Sequence, residues 1–178
     1  RIYKKSKRLT TSEFFREIGL MLNDSHSILY QAAKRNVPIF CPAITDGALG
    51  FHLFMFQEKH PDFIIDSVKD FKEIVISTSQ DDKKGIICLG GGVSKHYAIL
   101  STLINGGMDY AVYMTTASAM SGSMSGATTD EAKSWGKIKD DADAVTVIGD
   151  VTITFPLVMM GSLEELSLSG VIGEGKNE

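Results

Sequence analysis

The sequence has 178 residues, of which 43% are hydrophobic, and a formal net charge of −4. These values are typical of one globular domain, and the acidic balance provides no basic field for nucleic acid. The only basic run, Lys4 to Arg8, is typical of a solvated tail. No apolar run approaches the length of a membrane span and nothing resembles a signal peptide, so we expect a cytoplasmic protein that does not enter a membrane.

We predict a single domain over residues 1–178, with frayed tails at 1–9 and 170–178. Because the first residue is Arg1 rather than Met, we expect part of the natural protein to be missing from this chain. The two cysteines, Cys41 and Cys88, each lie in an apolar run. This pattern favours buried thiols of predicted strands in a reducing compartment over a disulfide.

The amino-terminal half alternates helical periodicity with a short apolar run. N-cap residues precede the first predicted helix, and a proline ends the predicted strand. In chain order, we predict helices over Glu13–Leu22 and Ser27–Lys34, a strand over Val37–Cys41, a helix from Phe51 that stops at His60, and a helix from Ile64 to Ser77.

The carboxyl-terminal half alternates apolar runs of four or five residues with helical segments. Glycines follow two of the predicted strands directly, and Pro156 suits the first turn of the last helix. In chain order, we predict strands over Ile86–Leu89, Tyr110–Met114 and Val145–Ile148, helices over His96–Ile104 and around Lys137, and a closing helix to Leu168.

Strands that alternate with helices predict an α/β fold with a Rossmann-like parallel sheet flanked by helices. Ligands of such sheets bind beyond the carboxyl ends of the strands. The residues predicted at that edge are Asp46, Gly90 to Gly92, Thr115 to Ser125 and Asp150. We therefore expect the unusual chemistry of this chain to collect at one edge of the sheet, with Lys137 beyond a strand.

Lys137 is a candidate nucleophile because it follows the only tryptophan, Trp135, by two residues. Burial beside an aromatic ring disfavours the ammonium form of a lysine and increases the fraction of reactive amine. The alternative is an ordinary solvated lysine on the surface. A run of small residues, Ser121 to Ala127, precedes this region and is able to lie flat against a ligand.

The triple glycine Gly90-Gly91-Gly92 follows a predicted strand and precedes a predicted helix, which suits a phosphate site. It matches neither common nucleotide-binding motif, and a tight turn is the equal alternative. Asp46 and Asp150 each follow a predicted strand, where an aspartate either binds a ribose or caps the next helix.

His96 lies just after the triple glycine, where it suits proton transfer near neutral pH. The other three histidines lack a partner at metal-ligand spacing, and no cluster suggests zinc. Glu131 completes a capping-box pattern with Thr128, a structural role that does not exclude contact with a ligand.

Four motifs together resemble the deoxyhypusine synthase family, and only about its carboxyl-terminal half. They are Pro42-Ala43-Ile44-Thr45-Asp46-Gly47, Leu89-Gly90-Gly91-Gly92-Val93-Ser94-Lys95-His96, Ser125-Gly126-Ala127 and Asp130 to Ile138. The resemblance implies a Rossmann-like fold and a tetramer with active sites at a subunit interface. It also implies NAD-dependent transfer of an aminobutyl group from spermidine, through an enzyme lysine, to a lysine of translation initiation factor 5A.

The resemblance assigns roles residue by residue. Lys137 corresponds to the imine-forming lysine and His96 to the residue placed for proton transfer, whereas Glu131 and Trp135 correspond to residues that line the amine. The positions that correspond to the NAD site are Asp46, Gly90, Gly91, Gly92, Thr116, Ala117, Ser125 and Asp150.

The chain departs from the family where well-known eukaryotic members hold the amine with polar side chains. Phe51 and Met124 stand at aspartate positions, Leu100 at an asparagine position and Ser121 at an acidic one. Three interpretations follow: a divergent, archaeal-type deoxyhypusine synthase, a homospermidine synthase-like enzyme that uses a free amine, or a regulatory subunit. Without the resemblance, a Schiff-base aldolase or a nucleotide-binding module would also fit.

Overall fold

The structure is a computed structural model that describes residues 1–79 and 82–172. It contains two compact units, Arg1–Gln80 and Asp81–Glu178, where the sequence predicted no internal boundary. Each unit has its own cluster of buried hydrophobic residues.

The amino-terminal unit packs short helices around an aromatic core. Leu9, Phe14, Ile44 and Phe63 form its buried centre. Two short parallel strands pair through Arg8 with Ile64 and Leu9 with Ile65. Its elements are α1 (Ile2–Lys5), β1 (Arg8–Leu9), α2 (Thr11–Gly19), α3 (Ile28–Lys34), α4 (Ala48–Gln57), β2 (Ile64–Ile65) and α5 (Ser67–Ser77).

The first nine residues differ from the predicted frayed tail, because they contain α1 and β1. Leu9 is buried and its strand pairs with β2, so this segment is anchored by both apolar burial and ladder hydrogen bonds. Ile64 and Ile65 belong to that ladder, and the prediction that they begin a helix is wrong. Helix α5 starts only after its N-cap, Asp66.

The strand predicted over 37–41 is not formed, and these residues have no regular secondary structure. The amide of Cys41 donates to the hydroxyl of Thr11 at 3.0 Å instead of to a neighbouring strand. Cys41 is therefore a half-buried loop residue, whereas Cys88 is buried in a strand as predicted. Both thiols are free, and burial raises the pKa of Cys88 to about 11.

The carboxyl-terminal unit contains the predicted parallel sheet, with strand order β3-β4-β5. Residues of β3 pair in register with β4, and those of β4 with β5 except near Met108. This confirms the α/β class. The elements are β3 (Gly85–Leu89), α6 (Val93–Leu100), β4 (Met108–Thr115), α7 (Thr129–Ser134), β5 (Ile138–Ile148) and α8 (Val151–Leu168), with 3-10 turns at Leu103–Asn105 and Ala119–Ser121.

The two faces of this sheet are covered unequally. On one face, Ala111 and Tyr113 of β4 pack in a buried cluster with Ile99 of α6 and Ala132 of α7. Side chains of alternate parity point to the other face. There, Ile87, Leu89, Tyr110 and Val145 are between 42% and 54% exposed. Met114 on the same face is fully buried and lies against Thr154 of α8. This face is therefore covered only in part, whereas parallel sheets are normally covered on both faces.

Helix α8 is long and apolar enough, by length and composition alone, to cross a membrane, with a mean hydropathy of 1.3. The prediction that no apolar run reaches this length is therefore wrong for α8. None of that span is buried in the structure. Pro156 lies in the second turn of the helix instead of the predicted first turn, because α8 begins at Val151. Gly170 to Ile172 form an exposed turn, and the rest of the predicted tail lies outside the described residues.

Candidate functional site

The carboxyl ends of the three strands of the carboxyl-terminal unit meet at one edge, as predicted. The amide of Gly90 donates to the carbonyl of Met114 at 2.8 Å, and that of Gly149 to the carbonyl of Thr115 at 3.0 Å. Seven of the predicted cofactor residues therefore follow strands that end side by side: Gly90, Gly91, Gly92, Thr116, Ala117, Ser125 and Asp150.

The glycine turn needs its glycines for two different reasons. Gly90 and Gly92 have φ angles of 78° and 91°, a region that other residues rarely adopt. At Gly91 the reason is space, because a Cβ atom there would lie 2.5 Å from the Cα of Ser125. The turn and the loop that carries Ser125 thus touch backbone to backbone.

The arrangement at this edge fits an anionic group. Gly92 is the N-cap of α6 and provides no side chain to cap the first amides of the helix. Such amides, together with the positive end of the helix dipole, favour a phosphate. The loop beside the turn is held by the hydroxyl of Thr115, which donates to the carbonyl of Ser125 at 3.2 Å and accepts from the amide of Ala117 at 3.0 Å.

Asp150 is exposed and caps α8, as one of its two predicted roles required. Its Oδ1 accepts from both the amide and the hydroxyl of Thr152, at 2.8 and 2.7 Å. The bond from the Thr152 hydroxyl and the bond from its amide lower the pKa of the carboxyl, which is therefore ionised near neutral pH. Because both bonds use one oxygen, the other oxygen of Asp150 is available for a hydroxyl.

Asp46 does not share this placement. It lies in a turn of the amino-terminal unit, and the strand predicted ahead of it is not formed. The argument from a strand end therefore does not apply to Asp46, and only the resemblance supports a cofactor role for it.

Lys137 lies at the opposite edge of the sheet from the glycine turn, so the prediction that it lies beyond a carboxyl end is wrong. Helix α7 ends at Ser134, Gly136 turns the chain with a φ of 68°, and β5 begins at Ile138. Ile138 pairs with Met108, the first residue of β4. The length of β4, about 20 Å, thus separates the backbone of Lys137 from the glycine turn.

The side chain of Lys137 has the surroundings predicted for a nucleophile. It is 8% exposed, and its Nζ lies 4.8 Å from the centre of the Trp135 ring. Burial lowers its pKa, and within the described residues no carboxylate pairs with it. A lysine in this state loses its proton more readily than a surface lysine.

The backbone of Lys137 is held by three different segments. Its amide donates to the carbonyl of Ala132 at 3.0 Å, and its carbonyl accepts from the amide of Met108 at 3.1 Å and the hydroxyl of Thr102 at 3.3 Å. Gly107 lies against the same peptide, since a Cβ there would lie 3.2 Å from the carbonyl carbon of Lys137. These contacts hold the backbone of Lys137 in one position, so its side chain does not extend from a flexible loop.

Glu131 forms the predicted capping box. Its carboxylate accepts from the amide of Thr128 at 2.8 Å, and its own amide donates to the Thr128 hydroxyl at 3.2 Å. Glu131 is exposed, and the cap uses only one of its oxygens.

His96 lies in the first turn of α6, half-buried, with its amide bonded to Gly92.

The apolar residues at family polar positions fall in different places. Met124 packs against the core cluster of the carboxyl-terminal unit, and Leu100 is half-buried at the end of α6. Phe51 is 61% exposed on α4 of the amino-terminal unit.

Within residues 1–79 and 82–172, no group of three or more His, Cys, Asp or Glu side chains is placed to hold a metal ion.

Sequence reasoning missed the buried charge of Lys95, a residue that it named only within the family motif that ends at His96. Its side chain is 3% exposed and lies over Tyr113. The sequence contains one weak signal of this burial. Ile99 lies one helical turn after Lys95, so the two side chains are on the same face of the helix, and an apolar residue on that face indicates that it is buried.

These features define an α/β protein with a glycine turn at the carboxyl edge of a parallel sheet and a buried lysine at its amino edge. The family model for deoxyhypusine synthase matches residues 1–162. The chain belongs to the deoxyhypusine synthase family.

Relatives from distant organisms agree with this assignment. The "Probable deoxyhypusine synthase" of Thermoplasma acidophilum is 43% identical over 159 residues, which are 89% of this chain and 51% of that protein. The "Deoxyhypusine synthase" of Kluyveromyces lactis is 44% identical over 152 residues, or 84% and 40% of the two chains. This chain thus spans about half the length of the curated relatives it matches.

A solved structure also resembles the chain. It is a crystal structure from Entamoeba histolytica named for deoxyhypusine synthase, with a TM-score of 0.62 and 31% identity. The match covers 86% of this chain and 45% of that one.

Proposed function

We propose that the complete protein is an NAD-dependent transferase that moves the aminobutyl group of spermidine to a lysine of translation initiation factor 5A. Membership of the deoxyhypusine synthase family supports this reaction class. The observation that carries the proposal is Lys137, a buried lysine with a lowered pKa, beside Trp135 and without a carboxylate partner among the described residues.

When bound at the carboxyl edge of the carboxyl-terminal unit, NAD would supply reversible hydride transfer, which would oxidise spermidine and reduce the final imine without net consumption of the cofactor. The neutral amine of Lys137 attacks the oxidised carbon, the aminopropyl part of spermidine leaves as a diamine, and the aminobutyl group stays on Lys137 as an imine. An acceptor lysine then displaces Lys137. His96 is assigned to the proton transfers on the resemblance alone, because it lies half-buried in the first turn of α6, at the edge of the sheet opposite the backbone of Lys137.

The carboxyl edge of the carboxyl-terminal unit is the part of this chain that we assign to NAD. The bare N-terminus of α6 suits the phosphates, and the free oxygen of Asp150 suits a ribose hydroxyl. Thr116, Ala117 and Ser125 lie in the adjoining loop. Asp46 is included on the resemblance alone.

The distance between that edge and Lys137 fits two elongated ligands placed end to end. Helices α6 and α7 pack on one face of the sheet. Their first turns carry His96 and Glu131. We propose that the amine lies along the exposed side of α7, where Glu131 and Trp135 contact it near Lys137, since a carboxylate and an indole both bind alkylammonium groups.

We also propose that the working protein is a homo- or hetero-tetramer with active sites at subunit interfaces, and that a further segment supplies what this chain lacks. The exposed second face of the sheet and the exposed apolar side chains of α8 support such an assembly, because both need covering. We expect it in the cytoplasm.

One experiment tests the catalytic proposal. The complete protein is incubated with NAD and spermidine, reduced with borohydride and mapped by peptide mass spectrometry. We expect an aminobutyl adduct on Lys137 that Lys137→Arg abolishes. The matched control is Lys139→Arg, because Lys139 lies two residues away but forms an ion pair with Asp109 at 2.6 Å. That variant should keep the adduct.

The other outcomes separate the alternatives. NAD binding with an unmodified Lys137 would favour a regulatory subunit, and an adduct that forms from a carbonyl compound without NAD would favour an aldolase. Where the adduct forms, addition of initiation factor 5A or of free putrescine distinguishes the two acceptors. Transfer to putrescine alone would replace the proposed function by homospermidine synthesis, which the apolar residues Phe51, Leu100 and Met124 make the second candidate.

A further inference from the structure

Lys95 is a buried cation that the proposed chemistry leaves without a role. Its side chain is 3% exposed on the inner face of α6. Its Nζ donates to the carbonyl of Ala127 at 2.6 Å and lies 4.0 Å from the centre of the Tyr113 ring. Within the described part of the chain, no carboxylate forms an ion pair with it.

This arrangement is costly if its only purpose is packing. Burial lowers the pKa of Lys95, which means that the surroundings disfavour its charged form. The hydroxyl of Tyr113 is buried beside it, with no hydrogen-bond partner in the described residues. A methionine or leucine would fill the same space at no electrostatic cost. The charge of Lys95 therefore needs a role other than packing, and the position of its acceptor, the carbonyl of Ala127, indicates that role.

The Lys95–Ala127 bond joins the two arms of the proposed cofactor site. Lys95 lies in the first turn of α6, three residues after Gly92. Ala127 lies two residues after Ser125, the residue whose Cα is packed against Gly91. The glycine turn and the 116–128 loop are thus held together twice, by a contact at Gly91 and by the ammonium group.

We propose that Lys95 is a positioning residue that holds the 116–128 loop against the glycine turn and thereby sets the affinity for the cofactor. This inference rests on the proposed function, since it assumes that NAD binds at this edge. Lys95 does not touch the reacting atoms. When its bond to Ala127 opens, Ser125 and Ala117 move away from the turn, and the cofactor loses one wall of its site.

The test compares Lys95→Met with Lys133→Met in the complete protein. Lys133 makes a similar clamp elsewhere, with Nζ bonded to the carbonyls of Asp140 and Ala142 at 3.0 and 2.9 Å, and it holds α7 to β5. We expect Lys95→Met to raise the Kd and KM for NAD by roughly tenfold, the effect of losing one hydrogen bond to a charged group. The kcat at saturating NAD should stay close to that of the wild type, and Lys133→Met should leave the NAD constants unchanged.

This pattern distinguishes positioning from general support of the fold. A variant that merely folds poorly has a lower active fraction, which lowers kcat and leaves KM alone. An unchanged KM for NAD in a folded Lys95→Met variant would overturn the inference while leaving the proposed function intact. A wild-type protein that binds no NAD would overturn both.

A second measurement needs no variant, in case Lys95→Met does not fold. Lys95 of the wild type is labelled slowly with an amine-acetylating reagent, with and without NAD, and read by mass spectrometry. Because only the closed loop binds NAD in this scheme, NAD at 100 times its Kd should slow the labelling of Lys95 by roughly 100-fold. Lys133 should be labelled at an unchanged rate. An acetylation rate of Lys95 that is the same with and without NAD would overturn the inference.

Discussion

The two units treat their buried charges in opposite ways. In the amino-terminal unit, Asp70 is 1% exposed and accepts hydrogen bonds from the hydroxyl of Thr11 and, at 3.2 Å, from the amide of Ser12. In the carboxyl-terminal unit, the ammonium group of Lys95 has one carbonyl acceptor, and that of Lys137 has neither a hydrogen-bond acceptor nor a carboxylate among the described residues, only the Trp135 ring beside it. A satisfied buried charge stabilises its fold, whereas an unsatisfied one costs stability and is typical of a functional site.

The strongest test of this contrast removes the satisfied charge. Asp70→Ala leaves the Thr11 hydroxyl and the Ser12 amide without their acceptor, and should cost about 3 kcal/mol of unfolding free energy. Urea unfolding followed by circular dichroism measures it. Glu73→Ala is the matched control on the same helix, because Glu73 accepts a 3.3 Å bond from the Ser12 hydroxyl and forms a 3.6 Å surface ion pair with Lys69 but accepts no backbone amide. Equal losses of unfolding free energy in the two variants would mean that Asp70 stabilises the fold no more than Glu73 does.

The next test acts on the edge assigned to NAD. Gly91→Ala places a Cβ 2.5 Å from the Cα of Ser125, so the turn and the loop must separate. Overpacking of this kind costs about 2 kcal/mol, which is roughly 30-fold in NAD affinity by titration. Gly161→Ala has open space around the new methyl group and should bind NAD normally. Normal NAD binding by Gly91→Ala would place the cofactor elsewhere.

A third pair of variants separates the two roles of Glu131. Glu131→Gln keeps an oxygen for the capping box but loses the charge, so we expect the KM for spermidine to rise roughly tenfold. Its melting temperature should hardly change. Thr128→Ala should do the reverse, with a loss of about 1 kcal/mol of stability and little effect on the amine. An unaltered spermidine KM in Glu131→Gln would leave the residue with its capping role alone.

The smallest expected effect has the opposite sign. Lys137→Met should stabilise the fold near neutral pH, by about 1 kcal/mol, because it removes an unpaired buried cation. The folded state lowers the pKa of Lys137 below 10.5, so between the two values the unfolded chain binds more protons. The stability of the wild type therefore rises with pH in that window, and the advantage of Lys137→Met should shrink as the pH approaches 10.5.

Urea unfolding at neutral and alkaline pH would check this last expectation. A constant difference at both pH values would mean that methionine stabilises through packing. A loss of stability in Lys137→Met would mean that the lysine has a structural partner.

The sequence predicted the carboxyl-terminal unit better than the amino-terminal one. Strands β3 and β4 each contain a continuous apolar run, and the capping box of Thr128 and Glu131 marks the start of α7. The apolar run over 37–41 has the same pattern as those strands. A short apolar run does not show, however, whether another strand lies beside it to pair with. The side chain of Thr11, not a strand, binds its Cys41 amide.

The position of Lys137 was hidden by charged residues. Asp140, Asp141 and Asp143 break the apolar pattern of β5. The apolar run therefore predicts a strand only from Val145 onward, and it leaves Lys137 in the preceding helix. The strand in fact begins at Ile138, with a register shift opposite Met108 to Tyr110. Hydrophobic periodicity cannot reveal an irregular strand end, because the extra residues there need not face a core.

The placement of Trp135 provides an optical probe of Lys137, the proposed nucleophile. It is the only tryptophan of the chain, and its ring lies 4.8 Å from the Nζ of Lys137. Any change in the charge or bonding of that nitrogen occurs within contact range of the only indole chromophore. The intrinsic fluorescence of the unlabelled protein should therefore record the formation and loss of an adduct on Lys137 in real time, with no background from a second tryptophan in this chain.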